Sequence, residues 1–465
     1  MRVHRFTSIL ILAGIIAFPS FIRAVEVEVD GDRLSVHAQG VPLREILDGL
    51  AAAGIKVTSA PEINPRISAE FKNKPVHEGF GAILNPYGYV LFWERNRNGG
   101  KLRLSEIQVF APGSRTGGDA DGAETGFAVA RNPGDGTLYV KNEILLQARP
   151  GADGHLIERL IAGAGGTILE KNDVLGIYRA RLPDGIDIPD FLDQLKEKEG
   201  RLIAEPNHAL PILAPQWSGA GAAIPRETKA AAALPDGGGA PIAVLDSGVL
   251  AGYGLEESVI AALDAVRPEM PVTDGLGHGT QMALIAAGMV RPMGAVGDHG
   301  ATPPIIPIRT FDDNGMTSNF AVMRGIDFAV QNGARVLSMS WGSETPSRFL
   351  EEALNYADSR GLIVVASAGN EPTGKPVYPA AYPSVLGVGA LAPDGTRWRQ
   401  SNYGSFVSVA APGYANLPVG YRGEAGLYAG TSVAAAYVSN VISGLLSENP
   451  DWKKADVMNY LKKNQ

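Results

Sequence analysis

Three residue types that together can break an acyl bond lie in one order along the second half of this chain, each beside glycine. Asp246 sits in Val244-Leu245-Asp246-Ser247-Gly248, His278 in Gly277-His278-Gly279-Thr280, and Ser432 in Gly430-Thr431-Ser432-Val433-Ala434. A serine hydroxyl is a poor nucleophile until a base takes its proton as it attacks. A neutral imidazole does this near pH 7, its ordinary pKa being about 6.5. The imidazolium so formed needs a buried carboxylate to hold its tautomer and offset its charge. The pattern therefore assigns Ser432 as nucleophile, His278 as general base and then acid, and Asp246 as orienter. The oxyanion of a tetrahedral intermediate also needs preset donors. The backbone N–H of Ser432, at the positive end of a helix, can be one; a side chain must supply another.

The elements that hold these residues are legible as apolar runs. Ile242 to Leu245 reads as a buried strand ending at Asp246, Met282 to Val290 as a helix behind His278, and Val433 to Leu446 as a helix behind Ser432. Leu362 to Ala366 reads as another buried strand, followed by Ser367-Ala368-Gly369-Asn370. Taken singly, Gly-Thr-Ser is a helix cap and Asp-Ser-Gly a turn. The order of the segments carries the assignment. Asp, His, Ser is the order of subtilisin, and residues 241–461 resemble the subtilisin-like serine peptidases.

The resemblance implies an α/β fold: a subtilisin-like parallel sheet with helices on both faces, preceded here by two small α+β domains. It implies that Asn370 completes the oxyanion hole with the Ser432 N–H. It makes Ser340, Trp341 and Gly342, with Ala368 and Gly369, the walls of the pocket for the residue before the scissile bond. Glu371, just beyond, adds tolerance for a basic residue there. Tyr378 to Val385, and Ser401 to Gly404 running on to Pro412-Gly413, resemble family segments; in the first, the Tyr378–Pro379 bond is expected to be cis. No cofactor is required for the chemistry. Structural calcium is an option, with Asp312-Asp313-Asn314-Gly315 as candidate loop; metal ligands are otherwise unknown. The chain departs from the usual pattern at Gln281, Ala436 and Tyr437, none of which transfers a proton. The remaining histidines, His4, His37, His77, His155, His208 and His299, are assigned no catalytic role.

The chain has 465 residues, 45% hydrophobic, a net charge of −8 and no cysteine. Disulfides, thiol catalysis and zinc–thiolate sites are excluded, and with no basic block nucleic acid is not an expected partner. Residues 1–24 begin with Arg2, His4 and Arg5, continue as an apolar run from Phe6 to Phe18 and end at Ala24, the pattern of a signal peptide. Export to the periplasm or medium follows.

Residues 25–95 alternate strand and helix patterns. Val25, Val27 and Val29 recur with period two, and Leu43, Ile46, Leu47 and Leu50 at helical spacing after Pro42. Val41-Pro42-Leu43-Arg44-Glu45-Ile46-Leu47 resembles the short N-terminal domain of secretins and TonB-dependent receptors. That likeness implies a Gram-negative envelope and an envelope protein partner. Residues 96–135, rich in Gly, Asn, Asp and Arg, read as a linker. Residues 136–213 read β-α-β-β-α-β and end in Glu205-Pro206-Asn207, resembling the inhibitory propeptide of subtilisin-like peptidases. Residues 214–465 are the peptidase domain, with a processing zone between Asn207 and Gly239. The expected function is a self-processing serine endopeptidase acting on proteins or peptides, with its own propeptide as inhibitor. The alternative is a non-catalytic envelope assembly module on a peptidase-like scaffold.

Overall fold

Ile242–Asp246 is buried along its whole length, and its residues serve two cores alternately. Ile242 and Val244 pack with the helices His278–Ala286 and Thr431–Glu448, whereas Ala243 and Leu245 pack with Asn319–Gln331 and Arg348–Ser359. A strand covered on both faces must be apolar throughout, which is why these runs read as continuous. It is central to a seven-stranded sheet in the order Leu263–Asp264, Ile305–Arg309, Ile242–Asp246, Val336–Met339, Ile363–Ser367, Val385–Leu391, Val407–Pro412, with every pairing parallel. The expected parallel sheet with helices on both faces is present. The Tyr378–Pro379 bond is cis.

The computed structural model of the chain describes residues 25–95, 102–111, 126–198, 200–212, 216–219, 239–295 and 302–463. The signal-peptide segment, Gly117–Gly122, His299 and most of the processing zone lie outside the described residues. Among the described residues no helix is long and apolar enough to cross a membrane.

In the N-terminal half, Val25–Asp30, Arg33–Pro42 and Arg66–Pro75 form a three-stranded antiparallel sheet. Helix Leu43–Ala52 buries Leu43, Ile46, Leu47 and Leu50, the stripe seen in the sequence. The stretch read as a linker contains two strands, Leu102–Phe110 and Gly126–Arg131. Leu102–Phe110 pairs with Lys56–Ser59 and Gly88–Arg95. Gly126–Arg131 lies between Gly88–Arg95 and Leu138–Ala148. The N-terminal domain and the propeptide-like domain therefore share one sheet. They also share one core, in which Leu47, Phe80 and Trp93 belong to the same cluster as Tyr139, Ile157 and Leu192. Leu156–Gly163 and Ile188–Lys198 are the two helices of the propeptide-like part.

That sheet reaches the C-terminal domain. Leu202–Pro211 pairs with Leu138–Ala148 on one side, and its end, Ala209 to Pro211, pairs antiparallel with Met316–Ser318. Ile212 N–H donates to Gly315 O at 2.9 Å. The strand is anchored by two helix N-termini, where backbone N–H groups lack partners within the helix. The Glu205 carboxylate accepts from Arg348 N at 3.1 Å, Phe349 N at 3.2 Å and the Ser347 hydroxyl. The Asn207 side-chain carbonyl accepts from Phe320 N at 3.2 Å. Beyond this, Gln216–Gly219 pairs antiparallel with Gly426–Ala429, the strand that leads into Ser432.

Candidate active site

Three neighbouring parallel strands deliver the site at their C-terminal ends. Ile242–Asp246 ends in Asp246. Val336–Met339, paired with it so that Leu245 faces Met339, leads into Ser340. Ile363–Ser367, paired so that Met339 faces Ala366, leads into Asn370. Each end binds one of the two helices that start here. His278 Nδ1 lies 2.7 Å from Asp246 Oδ1, and both residues are buried. Ser432 Oγ donates to Ser340 O at 3.0 Å. Asn370 Oδ1 accepts from Thr431 N at 3.0 Å and Thr431 Oγ1 at 2.8 Å.

These contacts fix protonation and orientation. An ionised carboxylate only accepts, so Asp246 sets the proton on His278 Nδ1 and leaves Nε2 as the basic nitrogen. Nε2 has no hydrogen-bond partner among the described residues, nor has Asp246 Oδ2. The Ser432 hydroxyl is on the Ser340 carbonyl and makes no hydrogen bond to Nε2. A buried hydroxyl takes an acceptor within reach, and a turn about one side-chain bond redirects it. Asn370 is held by its carbonyl end on Thr431, next to Ser432 in the chain. Gly277 precedes His278 with φ +82°, and a Cβ there would lie 2.2 Å from Gly420 O. Glycine is therefore what lets the histidine-bearing helix begin at this spot.

Residues not singled out from the sequence support this set. Asp274 is buried and ties the turn after Asp246 to the start of the His278 helix. Its carboxylate accepts from Ser247 Oγ at 2.8 Å, Thr280 N at 2.8 Å, Thr280 Oγ1 at 2.6 Å, Gly277 N at 2.8 Å and Leu276 N at 3.1 Å. Burial pushes its pKa up and the donors pull against that. Ser247 in turn accepts from Gly279 N at 2.8 Å. Asn402, also buried, binds Ala368 O, Lys375 O and Gly374 N and so holds the segment around Asn370. Tyr421 sets its ring edge against the His278 imidazole, with centroids 6.0 Å apart. Gln281 donates from Nε2 to Val419 O at 2.8 Å, tying that loop to the histidine helix.

The residues expected at the pocket walls are packed as follows. Trp341 is fully buried, its indole N–H donates to Leu245 O at 3.2 Å, and its ring packs edge-on to Phe311. Its side chain belongs to the core. Ser340 and Ala368 are buried, Gly369 takes φ +102°, and Gly342 lies against Val377. The calcium candidate also reads differently. Asp312 accepts from Asn314 N at 3.0 Å, Met316 N at 2.8 Å and Asn314 Nδ2 at 2.9 Å, while Asp313 pairs with Arg309 at 2.9 Å. These carboxylates serve a turn and an ion pair. Among the described residues no group of three acidic or histidine side chains is placed to hold a metal.

The profile of the Subtilase family matches residues 237–465. The chain is 33% identical over 229 residues to Subtilisin Savinase of Lederbergia lenta, covering 49% of this chain and 83% of that protein. It is 34% identical over 218 residues to Thermitase of Thermoactinomyces vulgaris, covering 46% of this chain and 77% of that one. With M-protease of Shouchella clausii it is 34% identical over 229 residues, spanning 59% of that protein's length. In fold it is similar to fervidolysin from Fervidobacterium pennivorans, a keratinolytic enzyme related to subtilisin. That likeness has a TM-score of 0.54 at 23% identity over 69% of this chain and 56% of that chain. It therefore covers more of the chain than the 49% matched in Savinase. Motif order, sheet and relatives agree: the chain belongs to the subtilase family, the subtilisin-like serine proteases.

Proposed function

We propose that the chain is an exported serine endopeptidase, made as a zymogen, that hydrolyses peptide bonds through Asp246, His278 and Ser432. The observation that carries this is the 2.7 Å contact between His278 Nδ1 and buried Asp246, which leaves Nε2 as the base beside the Ser432 helix. Ser432 Oγ attacks the scissile carbonyl as Nε2 takes its proton. The oxyanion is met by Ser432 N–H and Asn370 Nδ2. His278 then gives the proton to the leaving amine, and water repeats the sequence on the acyl-enzyme. Tightly packed glycine and small side chains at the pocket favour an apolar or aromatic residue before the cut.

The zymogen reading is supported by the strand Leu202–Pro211, which runs from the inhibitor-like domain onto the peptidase domain through Glu205 and Asn207. Ile212 is bonded to Gly315 and Gln216 pairs with Ala429; the first cut is expected between Asn207 and Gly239, within the chain itself, where tethering gives a high effective concentration. Residues 1–24 would direct export, and the likeness of residues 25–95 to secretin domains points to a Gram-negative periplasm. The test is expression of the wild type beside Ser432→Ala, N-terminal sequencing of every product, and fluorophosphonate labelling. The wild type should label and be cut between Asn207 and Gly239; Ser432→Ala should do neither. Processing of purified Ser432→Ala at the wild-type rate would overturn self-cleavage.

A further inference from the structure

The strand Gly88–Arg95 belongs to the N-terminal domain, yet it is buried on both faces from Tyr89 to Trp93. Tyr89, Leu91 and Trp93 point into the core shared with the propeptide-like part. Val90 and Phe92, 1% and 7% exposed, point the other way. A strand of a free-standing domain with one solvent face would alternate, so something must cover Val90 and Phe92. The cover includes Met316, from the edge strand of the peptidase domain, and Ala209, from the strand that pairs with it.

Two contacts at the rim point to the same partner. Gly88 lies so close to Asn314 that a Cβ would be 2.4 Å from Asn314 Oδ1. Arg422 places its guanidinium over the Phe110 ring, 4.4 Å from the centroid. Arg422 is at φ +47°, uncommon for a residue with a side chain. It is held there by its N–H on Leu276 O and its Nη2 on Asp313 O, both at 2.9 Å. Its neighbour Tyr421 is the residue set against His278. The N-terminal domain thus touches the Asn314 turn and the loop whose Tyr421 packs on His278, independently of Glu205 and Asn207.

We propose that the N-terminal domain is a second inhibitory element, whose Val90–Phe92 face, with Gly88 and Phe110 at its rim, docks on the chain's own cleft edge at Asn314, Met316 and Arg422. Residues 25–212 then bind the peptidase as one body with two attachments, and the domain's first partner is this chain. The inference rests on the zymogen reading above.

The test uses purified full-length protein and follows the rate at which activity on a chromogenic peptide appears after processing, normalised to the final activity of each variant. Phe110→Ala, Arg422→Ala and Gly88→Val should each speed release about three- to tenfold. Gly88→Val adds bulk towards Asn314 in a strand that accepts a β-branched residue. The double variant Phe110→Ala/Arg422→Ala should release no faster than the quicker single variant, because both remove one contact. Arg422 lies in the peptidase domain, so this coupling cannot come from unfolding of the N-terminal domain. Wild-type release rates in Phe110→Ala and Gly88→Val, or independent multiplication in the double variant, would overturn the docking. Glu205→Ala separates the two readings. Faster release in Glu205→Ala alone leaves the zymogen standing and removes the second attachment. No change in Glu205→Ala either, with Ser432→Ala still processed, removes the zymogen reading itself.

Discussion

The two halves of this molecule bury their side chains by different rules. In the C-terminal sheet Ile242–Asp246, Ile305–Arg309 and Ile363–Ser367 are buried at every position. In the N-terminal half Val25–Asp30, Arg66–Pro75 and Thr167–Asn172 alternate with exposed positions. The first arrangement needs parallel crossovers, and so contacts distant in sequence. The second includes local antiparallel pairs such as Val25–Asp30 with Arg33–Pro42, and carries ion pairs such as Lys141–Asp184 at its surface. The candidate site sits on the buried half, where low dielectric strengthens each polar contact.

The contrast breaks most sharply at the nucleophile. Ser432→Ala should lower turnover by about 10⁶, the scale known for the corresponding loss in subtilisin itself. It should leave the fold intact, since the hydroxyl holds the structure only through its bond to Ser340 O. A kcat within tenfold of wild type would sink the assignment.

Asn370→Ala should follow, lowering kcat by about 10²–10³, again the subtilisin value, with KM nearly unchanged because the donor acts on the oxyanion. Here Asn370 also receives two bonds from Thr431, so a stability loss is expected as well. Asn370→Asp retains the acceptor for Thr431 and removes the oxyanion donor. If Asn370→Asp recovers wild-type kcat, the donor role is wrong.

Asp274 sharpens the contrast, because it is a buried polar hub of a kind suited to the C-terminal half. Asp274→Ala strands donors from Ser247, Leu276, Gly277 and Thr280, and should cost roughly 3 kcal/mol or more of stability. As a positioning residue for His278 it should also shift the acid limb of the kcat/KM profile, which a purely structural loss would leave in place. Thermal unfolding together with that pH profile checks it.

How much of this is open to reading in sequence follows from the same division. Asp246, His278, Ser432 and Asn370 each lie within two residues of a glycine and close to one end of an apolar run, so residue type and element are legible together. Asp274 lies in Thr273-Asp274-Gly275, which looks like any turn; its value comes from five donors that only the folded loop gathers. That the Trp341 side chain is buried is not legible either, because a strand pattern gives two faces without saying which one packs inward. Leu102–Phe110 carries Leu102, Leu104, Ile107 and Val109 in an alternation broken at Ser105, and its Gly- and Asp-rich flanks give it the look of a linker. Its partners, Lys56–Ser59 and Gly88–Arg95, are set by tertiary contact, which local pattern does not carry.

The smallest expected effect is one of pH, and it falls on the N-terminal half. Glu143 is fully buried and binds Arg179 at 2.8 and 2.9 Å, Arg181 at 3.0 Å and Asn207 at 2.9 Å. Burial alone would raise its pKa; Arg179, Asn207 and Arg181 outweigh that and hold it below the ordinary 4.5. A carboxylate depressed by folding contributes stability above its unfolded pKa and loses it as pH falls through the folded value. Asp184, on Lys141 and Asn142, is lowered in the same way against its own burial. Since Asn207 also caps the helix Asn319–Gln331, protonating Glu143 loosens the strand that docks on the peptidase domain. Hydrogen exchange on full-length Ser432→Ala should show residues 138–212 opening as pH drops below about 4.5, before the parallel sheet does. Glu143→Gln should exchange faster than the parent at neutral pH and show a smaller further rise on acidification, Asp184 supplying what remains. If the parallel sheet opens first, or acid leaves residues 138–212 as protected as at neutral pH, the two halves do not differ in the way their burial implies.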